Sequence, residues 1–231
     1  MEIDLHTKKE LLAYLSTYLT DKRKELFDKV IQYRTRHISV VLEDVYQPHN
    51  ASAVLRSADL TGIQDIHIIE NRNHYEVNPE VALGSSKWLN LIRYNQQEEN
   101  TLHAFDALRQ KGYRIVATTP HAQDQSLDEI PLGGKMAIVF GTELKGLSQT
   151  AIDNADEYLR IPMYGFTESY NISVSAALTL FTLSEKLRKS EIDWRLSATD
   201  QLDTILNWTR RSIKRSELLE KEFLLRSKNQ F

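Results

Sequence analysis

The sequence predicts an α/β fold built on a mostly parallel sheet. Short apolar runs rich in β-branched residues recur between residues 38 and 162, and stretches with helical periodicity separate them. Strands that alternate with helices are usually joined by right-handed crossovers, which makes the sheet parallel and covers both of its faces. Ligands of such sheets bind beyond the carboxyl ends of the strands. The predicted strands are residues 38–45, 65–69, 89–94, 113–119, 136–140 and 158–162.

The segment before the first strand predicts two amphipathic helices, because apolar residues recur there at helical spacing. Thr20 and Asp21 provide an N-cap for the second helix. We therefore expect residues 1–37 to form a helical N-terminal extension. The apolar faces would consist of Leu11, Leu15, Tyr18 and Leu19 in the first helix, and Leu26, Phe27, Val30 and Ile31 in the second.

Helices are also predicted between the strands of the central domain, which we place at residues 38–193. One follows the first strand, with Asn50 as its N-cap and Gly62 as its stop signal. The others are predicted at residues 98–110, 148–155 and 171–189. Ser169 or Asn171 can cap the last of these.

The end of the chain, residues 194–231, predicts one basic amphipathic helix over residues 200–226. Its apolar side would bury Leu202, Ile205, Leu206, Thr209 and Ile213. Basic residues cluster near the opposite side, and this cluster, which we call the basic cluster, consists of Arg210, Arg211, Lys214 and Arg215. A basic helix face is by default only solvated, but it can also bind phosphates.

Composition excludes several kinds of protein. The chain has no cysteine, so disulfides, thiolate nucleophiles and Cys-ligated metals are excluded, and its seven scattered histidines predict no metal site. No apolar run approaches the roughly 20 residues that span a bilayer, and the N-terminus lacks a secretory signal pattern, so we expect a cytoplasmic protein without a membrane partner.

Net charge is −3, but it is unevenly distributed. Residues 1–37 carry +2, residues 195–231 carry +3 and the segment between them carries −8. Basic ends of this kind can supply a local phosphate-binding surface that the total charge conceals.

Three motifs lie where predicted strands end. The first, DVYQPHNASAVLR, holds Asn50 and Arg56, which can face one cleft because helical side chains lean toward the helix N-terminus. The second, FGTELKGLS, holds Glu143 between two glycines. It is not a phosphate-binding P-loop, since Leu147 stands where the lysine would follow Gly146. The third is IPMYGFTESYNISVSAALTLF.

Together the three motifs resemble the SpoU, or TrmH-type, branch of the SPOUT RNA 2′-O-methyltransferases. The shared pattern is N-x5-R, then G-x-E-x-x-G-L-S, then I-P-M followed by S-x-N-x-S-V-x-A, in this order across residues 38–186. The glycine signatures of Rossmann-type methyltransferases and dinucleotide-binding domains are absent from the sequence.

The resemblance implies a deep C-terminal trefoil knot that binds S-adenosyl-L-methionine (SAM), and a homodimer whose active site lies at the subunit interface. Knots are rare, and periodicity alone predicts an ordinary open sheet. The implied catalytic residues are Arg56, Asn50, Glu143, Ser169 and Asn171. The implied SAM-binding residues are Thr118, Gly141, Ile161 and Tyr170, of which Tyr170 replaces the leucine that is usual in the family.

Helical extensions at both ends are similar to those of the family members that methylate guanosine 18 in the tRNA D-loop. We therefore expect a tRNA substrate, with the basic cluster as an RNA-binding surface. The alternatives are methylation of another tRNA or rRNA nucleotide, a non-catalytic RNA-binding member of the fold, and a nucleotide-dependent enzyme on an open sheet. His49 is an alternative general base, because imidazole titrates near neutral pH. Taken singly, each site residue also has a structural interpretation, as a helix cap, an ion-pair partner or a loop carboxylate.

Overall fold

A computed structural model describes residues 3–120, 125–142 and 145–228 of the chain. The chain forms two compact units: the described residues of 35–194 form the larger one, and those of 1–34 and 195–231 form the smaller one. Within these described ranges, none of the helices combines the length and the apolar character needed to cross a membrane.

The larger unit contains a sheet in which every observed strand pair is parallel. The strands are β1 (Ile38–Glu43), β2 (Asp65–Ile69), β3 (Asn90–Tyr94), β4 (Tyr113–Thr118), β5 (Gln125–Ser126), β6 (Lys135–Phe140) and β7 (Glu157–Arg160). Within the described residues the strand order is β3-β2-β1-β6-β4-β7-β5. The predicted mostly parallel α/β sheet is therefore confirmed.

Helices cover both faces of this sheet, as the burial of alternate strand residues requires. The helices of the larger unit are α3 (Pro48–Leu60), α4 (Pro79–Ala82), α5 (Asn100–Gln110), α6 (Gln149–Asp153) and α7 (Ile172–Arg188). Val40 of β1 contributes to the core under α3 and α7, whereas Val41 contributes to the core under α5 and α6.

The predicted N-cap role of Asn50 is wrong. Helix α3 begins at Pro48, whose fixed φ suits the first turn of a helix, and Gln47 occupies the cap position. Asn50 is therefore inside the first turn, where it is buried. The predicted stop is in place, because Gly62 adopts φ 82°, two residues after the helix ends at Leu60.

The smaller unit consists of helices α1 (Leu5–Ser16), α2 (Asp21–Ile31), α8 (Ala198–Ser212) and α9 (Ser216–Lys228). Leu11, Leu15 and Leu206 are fully buried in one apolar cluster. The ring of Phe27 packs against that of Trp208 at 5.4 Å between centroids. Two residues assigned to the apolar faces, Tyr18 and Leu26, are instead exposed.

The single helix predicted over residues 200–226 is also wrong. Helix α8 ends at Ser212, Ile213 is extended and Arg215 adopts φ 56°, so the chain turns before α9 begins at Ser216. Arg210 then reaches Glu220 on α9, and its Nη2 donates to Oε1 at 2.6 Å. In one continuous helix these two residues would be separated by about 15 Å along the axis, at 1.5 Å per residue.

Candidate active site

A cavity of about 390 Å³ lies at the carboxyl ends of the neighbouring strands β4, β6 and β7. Parallel strands present these ends at one edge of the sheet, where α/β proteins bind their ligands. Three segments that follow the strands supply most of the lining. They are residues 118–120 after β4, residues 141–147 after β6, of which 143 and 144 are outside the described ranges, and residues 161–170 after β7.

The segment after β6 folds back sharply. We call its described residues, 141, 142 and 145–148, the cofactor loop, because the family resemblance predicts that Gly141 binds SAM. Thr142 N donates to Gly146 O at 2.9 Å, and Gly146 N returns a bond to Thr142 O at 3.0 Å. A Cβ atom on Gly141 would lie 2.3 Å from the carbonyl carbon and oxygen of Gly146. Only glycine therefore fits at position 141. The loop ends at Ser148, whose hydroxyl accepts from Ala151 N and caps α6.

Two asparagines join the first and third motifs, because α3 packs against α7. Asn171 Nδ2 donates to Asn50 Oδ1 at 3.2 Å, and Asn50 Nδ2 donates to Gln47 Oε1 at 3.0 Å. Asn171 Oδ1 accepts from the backbone amide of Ser173 at 2.8 Å, so this residue is the N-cap of α7. The amide pair thus fixes the start of α7 against the first turn of α3.

The sequence model of the SpoU rRNA Methylase family matches residues 37–181, which include the strands, the cavity and both asparagines. The chain belongs to the SpoU methylase family. The resemblance inferred from the three motifs is thereby confirmed.

Relatives agree with this assignment. The chain is 42% identical over 209 residues to the tRNA (guanosine(18)-2′-O)-methyltransferase of Borreliella burgdorferi, covering 90% of this chain and 94% of that one. The crystal structure of the TrmH/SpoU tRNA modifying enzyme of A. aeolicus superposes with a TM-score of 0.74 at 24% identity, and the match covers 84% of this chain and 98% of that one. The SpoU methyltransferase AviRb of Streptomyces viridochromogenes, solved with the cofactor AdoMet, superposes with a TM-score of 0.57 at 20% identity. This match covers 71% of this chain and 62% of that one.

In this SpoU-family chain, the four residues predicted to bind SAM lie together. Thr118, Gly141, Ile161 and Tyr170 all line the cavity, each on one of its three segments. Thr118 Oγ1 donates to Val139 O at 2.8 Å, which directs that hydroxyl toward the sheet. The grouping is compatible with a shared ligand, and the individual cofactor contacts stay predictions.

The predicted catalytic residues are more dispersed. Ser169 lines the cavity, whereas Asn50, Asn171 and Arg56 do not. Arg56 lies on the exposed side of α3 and makes no hydrogen bond or ion pair with the described residues. Within one chain, its guanidinium is therefore not part of the cavity wall. Glu143 lies outside the described residues.

Two further expectations concern an alternative general base, His49, and a metal site. His49 is exposed in the first turn of α3 and does not line the cavity. In the part of the chain that the structure describes, no group of three His, Cys, Asp or Glu residues could hold a metal ion.

The basic cluster lies in the smaller unit, at the end of α8 and in the turn that follows. Arg210 is engaged by Glu220, with Nε to Oε2 at 2.9 Å in addition to the Nη2 contact. Arg211, Lys214 and Arg215 are exposed. Because α8 ends at Ser212, Lys214 and Arg215 lie in a turn rather than on a helix face.

Sequence reasoning missed two charged residues of the cavity. Lys145 and Glu168 both line it, and they are the charged members of the lining that the structure describes. Their signal was available, since each is a charged residue within a motif already assigned to the site. A third residue, Glu43, was missed although a carboxylate after the apolar run ISVVL is unusual in a strand buried on both faces.

We predict that Gly141→Ala destabilises the protein, because the added methyl group would overlap the backbone of Gly146. The expected loss in the free energy of unfolding is about 1–3 kcal/mol, as for other overpacked sites. Gly133→Ala is the matched control, since a Cβ there meets nothing within 4 Å. Urea denaturation of both variants measures the difference. Equal stabilities would show that the close approach at position 141 is not a constraint.

Proposed function

We propose that this chain transfers a methyl group from SAM to the ribose 2′-hydroxyl of guanosine 18 in tRNA. One observation carries the proposal: the 42% identity to the Borreliella burgdorferi tRNA (guanosine(18)-2′-O)-methyltransferase covers 94% of that enzyme. The 209 aligned residues are more than the predicted catalytic domain, residues 38–193, contains. The likeness therefore extends into the terminal segments, which we propose distinguish this substrate class.

The cavity suits SAM in size and chemistry. Its volume of about 390 Å³ falls within the roughly 300–1,000 Å³ typical of small-molecule sites. Apolar side chains such as Leu147, Leu159 and Ile161 can surround the adenine ring and the methylene groups. Lys145 and Glu168 offer opposite charges for the carboxylate and the ammonium of the methionine part. The cofactor bound to AviRb is consistent with this choice.

When bound, SAM supplies a methyl group that is already activated by its sulfonium. The protein must orient the ribose oxygen and help it to lose a proton, and orientation alone can contribute about 7–11 kcal/mol. Ser169 lies at the cavity wall and can contact the substrate there. The hydrogen bond between the side chains of Asn50 and Asn171 holds α3 and α7 together, which positions the segments around Ser169.

Arg56 acts as a cation in this proposal. A guanidinium does not lose its proton in proteins, so it is a poor general base. It can instead fix an RNA phosphate and stabilise the developing negative charge on the 2′-oxygen, while phosphate or water takes the proton. Its exposed side chain makes no bond with the described residues that would compete with a phosphate.

We further propose that two copies of the chain form the active site. Val174, Leu178 and Phe181 form an exposed apolar stripe on α7 at helical spacing, as expected for a helix that packs against another protein surface. A second copy could also bring its Arg56 to a cavity that lacks this residue in its own wall. Family membership supports the homodimer and the trefoil knot, and both stay predictions.

The basic cluster is proposed to bind tRNA phosphates through Arg211, Lys214 and Arg215. Arg210 contributes less, because Glu220 already neutralises its charge. Since the proposed substrate is tRNA, we place the enzyme in the cytoplasm.

The function is tested with the purified protein, labelled SAM and unmodified tRNA transcripts, followed by mapping of the methylated ribose. We expect one 2′-O-methyl group at guanosine 18, and no incorporation into a transcript that already carries this group. Methylation at another nucleotide would replace the proposed position, and the absence of transfer to any tRNA would favour a non-catalytic member of the fold.

Arg56→Ala is expected to lower kcat by about 10²–10³, the range found when one group that stabilises transition-state charge is removed. Arg56→Lys keeps the charge but loses the planar fork that binds phosphate through two bonds, so we expect it to recover only part of the activity. SAM affinity should not change in either variant, because Arg56 does not line the cavity. Near-full activity of the lysine variant would mean that the guanidinium is not required.

Replacing the three exposed cations of the basic cluster with glutamine is expected to weaken tRNA binding and to leave SAM binding unchanged. If each cation contacts one phosphate, the slope of log K against log salt should become shallower by about 2–3. A matched variant that loses the same charge from α1 and α2 should bind tRNA like the wild type, and an equal loss in both would indicate a general effect of charge. The test variant is R211Q/K214Q/R215Q and the matched variant is K9Q/K22Q/K29Q.

A further inference from the structure

Glu43 is a buried carboxylate just behind the cavity. It is the last residue of β1, the neighbour of β6 in the sheet, and 2% of its surface is exposed. It does not line the cavity, and the described residues place no cation within ion-pair distance of it. A buried carboxylate is costly unless hydrogen bonds compensate for the lost water. Its contacts therefore indicate what it stabilises.

Three donors converge on this carboxylate. Ser148 N donates to Oε2 at 2.9 Å and Ser148 Oγ donates to Oε1 at 2.7 Å, while Thr101 Oγ1 donates to Oε1 at 2.6 Å. The Ser148 hydroxyl is the donor in its bond to Glu43, because a carboxylate only accepts, and its oxygen also accepts from Ala151 N. Ser148 is separated from Glu43 by 105 residues, so these bonds tie two distant parts of the chain together.

Ser148 is the last residue of the cofactor loop. The other end of the loop, Gly141, directly follows β6, which pairs with β1 from Met136 to Phe140. The loop is therefore held at one end by the strand pair and at the other by the carboxylate of Glu43. Between these two ends, residues 145–147 form part of the cavity wall.

We infer that Glu43 is a positioning residue that holds the cofactor loop in the shape that binds SAM. This inference rests on the proposed function, because it assigns SAM to the cavity. Binding to a loop that is already ordered avoids the entropy cost of ordering it, so loss of the anchor weakens SAM binding without removing any direct contact.

Asp44, which follows Glu43 and is the first residue of the first motif, belongs to the same hydrogen-bond network. Asp44 adopts φ 51° and its Oδ1 accepts from Asn71 N at 2.7 Å and Arg72 N at 2.9 Å. Asn71 Nδ2 in turn donates to Thr101 Oγ1 at 2.9 Å, which closes a ring of bonds back to Glu43. Asp44 precedes the turn into α3, so consecutive residues fix the cofactor loop and the approach to the helix that carries Asn50 and Arg56.

Glu70 provides a matched control. It directly follows β2 and is also buried, with its carboxylate accepting from Tyr75 N at 2.7 Å, from Asn95 Nδ2 at 2.9 Å and, unlike Glu43, from a cation, Arg93 Nη1, at 3.4 Å. None of its bonds reaches the cofactor loop. Glu70→Gln thus reports the general cost of disturbing a buried carboxylate, whereas Glu43→Gln also places an amide NH₂ group against the donors of Ser148.

The experiment measures SAM binding to the full-length wild type, E43Q and E70Q by calorimetry, together with the exchange rate of the Ser148 amide hydrogen without SAM. We expect E43Q to raise the Kd for SAM by at least about tenfold, equivalent to about 1.4 kcal/mol. The Ser148 amide of E43Q should exchange about tenfold faster, because glutamine keeps only one acceptor oxygen for the three donors that the carboxylate shares between two. E70Q should match the wild type in both measurements.

The inference is overturned if E43Q binds SAM like the wild type, or if E70Q loses the same affinity. If E43Q does not fold, Ser148→Ala takes its place, because it removes the hydroxyl bond to Glu43 outside the cavity wall; unchanged SAM affinity in that variant also overturns the inference. Failure of the wild type to bind SAM would instead contradict the proposed function. In that case, unchanged exchange of the Ser148 amide in E43Q would still show that Glu43 does not hold the loop.

Discussion

The cavity depends on the alignment of three neighbouring parallel strands, β4, β6 and β7, whose carboxyl ends all meet one edge of the sheet. Each strand is followed by a segment that must turn away from the sheet, and the space between the segments becomes the site. The turn after β6 is tight, because Gly141 leaves no room for a side chain beside Gly146. The glycine therefore permits the loop, and the carboxylate of Glu43 fixes its far end.

The same arrangement separates two tasks of a methyltransferase site. In the proposed function, the residues around the cavity bind SAM within one chain, and the hydrogen bond between the side chains of Asn50 and Asn171 keeps the third motif in register with α3. Arg56, in contrast, is exposed on α3 and away from the cavity wall. In the proposed function, an active site completed by RNA and by a second copy of the chain would reconcile these positions, since it would bring the guanidinium to the reacting oxygen only when substrate is bound.

Much of this organisation could be predicted from residue patterns. Strand β2 was predicted at its observed bounds, because DIHII is β-branched and lies between turn residues, and α7 begins after its predicted cap, Asn171.

The short elements α4 and β5 escaped notice, since two to four residues carry no measurable periodicity. The single C-terminal helix failed because Ile213 continues the apolar pattern, whereas the break depends on the left-handed backbone of Arg215. Asn50 was misplaced as a cap because Pro48 starts the helix earlier. The cavity residues came from the family resemblance, and the anchoring role of Glu43 depends on a contact across 105 residues that no local pattern reveals.

The most direct test of the account is a crystal structure of the protein with S-adenosylhomocysteine and an RNA that contains the substrate loop. The account predicts that the nucleoside occupies the cavity between residues 118–120, the cofactor loop and residues 161–170, and that the guanidinium of an Arg56 contacts the same ribose–phosphate unit that faces the sulfur. A ligand bound elsewhere, or an assembly in which every Arg56 is too far from the sulfur for one nucleotide to reach both, would contradict it.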